Sequence, residues 1–290
     1  MSRPKLTRRG VVTGLGAGLG LAATSSCPTG AARAKTFIED ALDALGGQLG
    51  PPLPPNAGSI SAHIPDLGGL ARDDRGIINQ LEDGGKLDGG DSAHRTGFAA
   101  FLNSQIDSDL LPLFESNGVM VRHPTQVPWN NWKNCTRDQL IGYTAGCWRA
   151  ERLDINKRLL DAHAARLPPF TCQDTEDDYP GTTKKPPIGD PLGPHDVMYL
   201  RISAGDNAAH TDQAGQLALA LAIGYAAFQD VKVDQNNLIL HSILCGRLNL
   251  LVKAMPNYEE SIRYYWSGWR KQPRMAEEFI WVIKEELKRY

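Results

Sequence analysis

The sequence predicts an all-α fold, either an α/α toroid or an incomplete one of about nine or ten helices. Three observations carry this. Apolar residues recur at helical spacing through most of the chain. Val119-Met120-Val121-Arg122 is the one short strand candidate. The periodic stretches also pair as hairpins, as where Thr136 to Ala150 is joined briefly to Leu153 to Leu167. An irregular helical bundle is the competing architecture. The chain has 290 residues, 41% of them hydrophobic, enough for a sizeable core and against a disordered or collagen-like chain.

Residues 1–34 read as an export leader. Arg3, Lys5, Arg8 and Arg9 form a basic start, Val11 to Ala23 is an uncharged apolar run, and Ala32-Arg33-Ala34 offers a small-x-small cleavage site. The run is shorter than the roughly 20 apolar residues of a membrane-spanning helix. The competing reading is an apolar N-terminal helix of the fold. Thr7-Arg8-Arg9-Gly10-Val11-Val12 resembles the twin-arginine export motif, with Val11-Val12 where that motif usually has Phe-Leu. The resemblance implies a periplasmic or extracellular location. Cys27 follows Thr24-Ser25-Ser26, a poor lipid-attachment box, so membrane association after leader removal is not expected unless Cys27 is lipidated. Without the leader the balance is 26 Lys+Arg against 33 Asp+Glu, net −7, which fits neither nucleic acid nor anionic lipid. Cys135, Cys147, Cys172 and Cys245 remain, permitting two disulfides in an oxidising compartment. Reduced, they would serve as small buried hydrophobes.

Residues 35–290 then read as one helical domain. Phe37, Ile38, Ala41, Leu42 and Leu45 share a helix face that ends at Gly46-Gly47. The Pro- and Gly-rich stretch 50–68 is a linker or a wrapping arm. Leu70 to Leu81 has helical spacing, as does Asp91 to Phe114 with a break near Pro112. Residues 168–194, with seven prolines and acidic Asp174, Glu176, Asp177 and Asp178, form a long loop. Helices resume at about 195–204, 213–229, 234–254, 258–270 and 274–288. Gln213 to Phe228 is apolar nearly all round, which marks a buried helix.

The densest polar signal is Asp83 to Gly97, with glycine pairs at 84–85 and 89–90. Glycine pairs permit tight turns and close approach of a ligand or backbone. A helix starting near Asp91 puts Asp91, His94 and Arg95 on one face, with Asp88 a turn upstream. A carboxylate at a helix N-terminus suits a base, a nucleophile or a cation partner. The plainer reading is that Asp91 is a helix cap paired with Arg95. Second, Arg122-His123-Pro124 precedes Trp129-Asn130-Asn131-Trp132, either an anion and sugar-ring platform or a loop anchored by its tryptophans. Third, Thr136-Arg137-Asp138-Gln139 contains a capping box from Thr136 to Gln139, leaving Arg137 and Asp138 available at a helix end. Fourth, His195-Asp196 follows the long loop. His210 and His241 are isolated and read as packed or surface histidines. Arg247 reads as a buried ion-pair partner or an anion holder. Tyr264-Tyr265-Trp266, Trp269 and Arg270 read as core and interface residues. No metal-binding motif is present.

The string Asp88 to Gly97, then Arg122 to Pro124, then Thr136 to Gln139 resembles a group of uncharacterised exported bacterial helical proteins, over about 50 residues. A more distant similarity, of fold alone, is to α/α-toroid enzymes that process saccharides. It implies an exported glycoside hydrolase or polysaccharide lyase. The similarity transfers no catalytic residues, and from the helix starts themselves Asp88, Asp91, His94 and Asp138 are the candidate catalytic groups of such an enzyme. Arg95, Arg122, His123, Trp129, Trp132, Arg137 and His195 are its candidate substrate contacts. In the lyase version His94 or His123 takes the proton. The alternatives are a ligand-binding module without chemistry and a metal- or cofactor-dependent exported protein. The cofactor is unknown, and the partner is a small molecule or a polysaccharide.

Overall fold

The computed structural model describes residues 39–43, 45, 49–55, 67, 69–102, 106–130, 136–164, 192–228 and 232–290. The leader, Trp132, Cys135, Cys172 and the loop up to residue 191 lie outside these. The described chain is mostly helical. Its α-helices are α1 (Ser92–Leu102), α2 (Arg137–Arg149), α3 (Leu153–Ala164), α4 (Pro194–Ser203), α5 (Gln213–Phe228), α6 (Lys232–Leu244), α7 (Leu248–Ala254), α8 (Tyr258–Ile262) and α9 (Pro273–Leu287). Among the described residues no helix is long and apolar enough to cross a membrane.

The stretch expected as a helix at 70–81 is extended instead. Asp73 accepts hydrogen bonds from the Arg75 and Ile77 amides, and Gly76 has φ +86°, so the chain turns where a helix would continue. Arg72 and Ile78 pair across that turn. Strand β1 (Gln80–Leu81) then pairs antiparallel with β2 (Leu87–Asp88) across Gly84-Gly85, both at positive φ. The strand candidate near 119 is real but short. Strand β4 (Val119–Met120) pairs with β3 (Glu115–Ser116), which ends a 3-10 turn over Ser108–Phe114 containing Pro112. The helix expected over 234–254 divides at Gly246, where φ is +64°. Here Leu53 donates to the Gly246 carbonyl at 3.2 Å, so the segment at 50–55 does wrap the helices as an extended arm.

α1 and α2 pack more closely than side chains would allow. A Cβ on Gly97 would lie 2.4 Å from Tyr143 Cα, and one on Gly146 would lie 2.1 Å from the Gly97 carbonyl oxygen. Gly97 on α1 and Gly146 on α2 thus seat the two backbones directly against each other, and Gly142, one turn before Gly146, makes room for the His94 ring. α1 divides two apolar cores. On one side Phe98 stacks on Trp266 at 4.1 Å and meets Phe279 edge-on at 4.9 Å. On the other, Ala93 and Ala100 meet Leu111, Phe114, Tyr143 and Ile155. Cys147 and Cys245 are free, buried thiols, so the two-disulfide pattern is not formed. Burial pushes both thiols up and leaves them inert as small hydrophobes.

Candidate functional site

The starts of α1, α2 and α4 gather side by side, and the polar residues follow them in one band. Its first part is the Asp88 platform. Asp88 Oδ1 accepts from the Gly90 amide at 2.9 Å and from Trp129 Nε1 at 2.8 Å. The Arg122 guanidinium lies 5.4 Å over the Trp129 ring and donates to the Gly90 carbonyl at 3.2 Å. Gly89 and Gly90 make this fit possible, since Cβ atoms there would sit 2.7 Å from the His123 ring and 3.2 Å from Trp129. Asp88, Arg122 and Trp129 are all half-buried. Among the described residues nothing bonds Asp88 Oδ2.

His123 is spent on the loop itself. Nε2 meets Asp73 Oδ2 at 3.2 Å, and Nδ1 accepts from the amides of Thr125 and Gln126. Burial lowers its pKa against the pull of Asp73. Its two nitrogens are therefore occupied, and the ring is 1% exposed.

The second part of the band is a charge network around Asp91. The Asp91 carbonyl accepts from the Arg95 amide at 2.9 Å, so its backbone opens α1. Its side chain does not cap that helix. It pairs with Arg270, which also reaches Asp138 Oδ2 at 3.3 Å, and with Arg95 at 3.8 Å. The expected capping box at Thr136 is not formed either. Gln139 extends across to Asp91, and the Thr136 hydroxyl turns to Asp138. Gln139 thus ties α2 to the start of α1, while Thr136 stays within the start of its own helix. Arg95 is buried and donates to Gln80 Oε1 at 2.6 Å and to the Arg270 carbonyl at 3.3 Å. Burial lowers its pKa to about 10.

His94 lies beneath this network. Its ring stacks on Trp266 at 5.2 Å and is fully enclosed. Burial pushes its pKa down to about 4 against the pull of Asp138, so the ring is neutral near pH 7. Nε2 is 3.1 Å from the Tyr265 hydroxyl, which is 2.8 Å from Arg270 Nη2. With the ring neutral, the Tyr265 O–H donates to Nε2 and its oxygen accepts from Arg270.

The third part lies at the start of α4. Asp196 Oδ2 accepts from the Gly193 amide at 2.8 Å and faces Arg137 at 3.7 Å. Asp196 Oδ1 lies 3.5 Å from Nε2 of His195 and 3.5 Å from Nε2 of His241, which projects from α6. Burial pushes His241 down to about 3, so it too is neutral. These three residues have the donor types that hold a divalent cation, all within 4.8 Å of one another.

The structure therefore groups Asp88 with Arg122 and Trp129, Asp91 with Arg95 and Asp138, and Arg137 with His195 at Asp196, while His94 lies under the second group and His123 beside Gly89 and Asp73. Trp132 lies outside the described residues. Sequence reading missed Arg270, which holds Asp91 and Asp138 together, and His241, which joins His195 and Asp196. The available signal for Arg270 was its setting, since an arginine inside an aromatic run needs carboxylate partners once buried. Compared with family models, curated proteins and solved structures, the chain gives no match.

Proposed function

We propose that the chain is an exported enzyme acting on a saccharide or polysaccharide, as a hydrolase with Asp88 as its working carboxylate. The observation that carries this is the pairing of an unbonded Asp88 oxygen with the half-buried Trp129 ring and the Arg122 guanidinium. An aromatic face takes the apolar face of a sugar ring, a guanidinium takes hydroxyl or carboxylate oxygens, and a carboxylate oxygen then stands beside the bound ring. The lyase version has less support, because His94 and His123, its proton acceptors, are enclosed and already bonded. The helices also suit an incomplete toroid. Consecutive helices from α1 to α7 pack as neighbours, and α9 returns to touch α1.

Asp88→Asn provides the test. Asparagine keeps the Oδ1 acceptor for Gly90 and Trp129 while removing the charge. A screen of neutral and acidic polysaccharides with a reducing-end assay should find turnover by the native chain. The variant should lose about 10²- to 10⁴-fold of it while keeping its unfolding midpoint. Saccharide binding without turnover by the native chain would make this a binding module instead, and full turnover by the variant would move the chemistry elsewhere.

A further inference from the structure

We infer that His195, Asp196 and His241 form a binding site for one divalent transition-metal ion of the zinc type. The inference does not depend on the Asp88, Arg122 and Trp129 platform that carries the saccharide reading, and it gives His195 a ligand's role in place of a substrate contact's.

The spacing is the first argument. Both imidazole nitrogens sit 3.5 Å from the same carboxylate oxygen. A charge-assisted N–H···O bond is about 2.7–2.9 Å long, so neither contact is a good hydrogen bond. Ligand bonds of about 2.0–2.2 Å give a tetrahedron an edge of about 3.3–3.6 Å. Both separations match that edge, and all three ligand atoms lie within 4.8 Å of one another.

The state of His241 is the second argument. It is 1% exposed, lies on a different helix from the other two, and neither of its ring nitrogens makes a hydrogen bond. A buried polar ring with both nitrogens unpaired is costly. A cation at the shared point of the three groups would take its Nε2 lone pair and remove the share of that cost that Nε2 bears.

The carboxylate is the third. Asp196 divides its oxygens, with Oδ2 held by the Gly193 amide and facing Arg137 while Oδ1 is aimed at both imidazoles. Orientation of a ligating carboxylate by outer partners is a regular feature of metal sites. Three protein ligands leave a fourth position open, as catalytic zinc sites do. His195, 14% exposed, forms the outer edge of the cluster, and Asp196 and His241 are deeper at 4% and 1%.

The test uses tag-free, chelator-stripped full chain titrated with Zn²⁺ by calorimetry and with Co²⁺ by visible spectroscopy. One equivalent should bind, and the cobalt form should show the intense bands of a four-coordinate ion. His195→Ala and Asp196→Asn should each weaken binding by about 100-fold or more while far-UV circular dichroism stays native. His195→Ala removes a partly exposed ring and so decides the matter even if Asp196→Asn misfolds. Absence of stoichiometric binding, or binding unmoved in the folded His195→Ala variant, would overturn the inference.

Discussion

The network around Asp91 and the cluster around Asp196 are neighbours, joined through the adjacent Arg137 and Asp138, yet they treat charge in opposite ways. At Asp91 the chain supplies its own cations. Arg270 and Arg95 are both buried, and Arg270 answers Asp91 and Asp138 together. At Asp196 the groups that face Oδ1 are two imidazoles, and the guanidinium of Arg137 stands on the other oxygen. The first arrangement is complete as it stands and ties α1 and α2 to the C-terminal helices. The second leaves buried donor atoms directed at one point. The two clusters thus differ in kind because arginines occupy the facing side of Asp91 and Asp138, whereas Arg137 reaches only the Asp196 oxygen turned away from the imidazoles.

The largest effect should come from removing the built-in cation. Arg270→Met leaves Asp91 and the buried Asp138 without their shared partner, and breaking a buried pair in this way costs about 3–5 kcal/mol. Urea unfolding measures it. A loss below about 1 kcal/mol, as for an exposed pair, would erase the contrast between the clusters. Next is the frame that sets both helix starts. Gly146→Ala pushes a methyl group into the Gly97 carbonyl and should cost about 1–3 kcal/mol, with α1 and α2 forced apart.

Acid should act more gradually, through His94. Its pKa is about 4 in the fold against 6.5 for a free ring. Between those values the unfolded chain takes up a proton that the folded chain refuses. Stability from this group is therefore complete above about pH 6.5 and falls toward pH 4, by about 1.4 kcal/mol per pH unit. Urea midpoints at about pH 7 and pH 5 read this slope together with that of His241, which burial lowers in the same way, and a flat profile would mean that neither ring is enclosed. The smallest effect should be that of His195→Ala on the metal-free chain. The ring is at the edge and holds no hydrogen bond, so its unfolding free energy should stay within about 0.5 kcal/mol of native. A larger loss would make His195 a structural residue.

The all-α class was legible because helical periodicity survives in any sequence that buries one face of each helix, and α9, which buries Met275, Ala276, Phe279, Ile280 and Ile283, is the clearest case. The three polar helix starts were legible for a similar reason, since Asp91, Arg137-Asp138 and His195-Asp196 stand where apolar runs begin. The failures are as specific. Leu70 to Leu81 has helical spacing, but Asp73 and Gly76 turn the chain, and local side-chain bonds outweighed periodicity. Thr136 and Gln139 have the spacing of a capping box, yet Gln139 bonds Asp91 on another helix. Arg270 stood in an aromatic run and His241 read as a packed or surface histidine, but neither pointed to its partners, which lie far away in sequence and meet it only in the fold.

Diffraction from crystals soaked in Zn²⁺, collected at the zinc absorption edge, puts the contrast between the two clusters to its most direct test. The account predicts one strong anomalous peak between His195, Asp196 and His241 and none between Asp91 and Asp138, where Arg270 already stands. A peak at Asp91 and Asp138, or no peak beside His241, would contradict it.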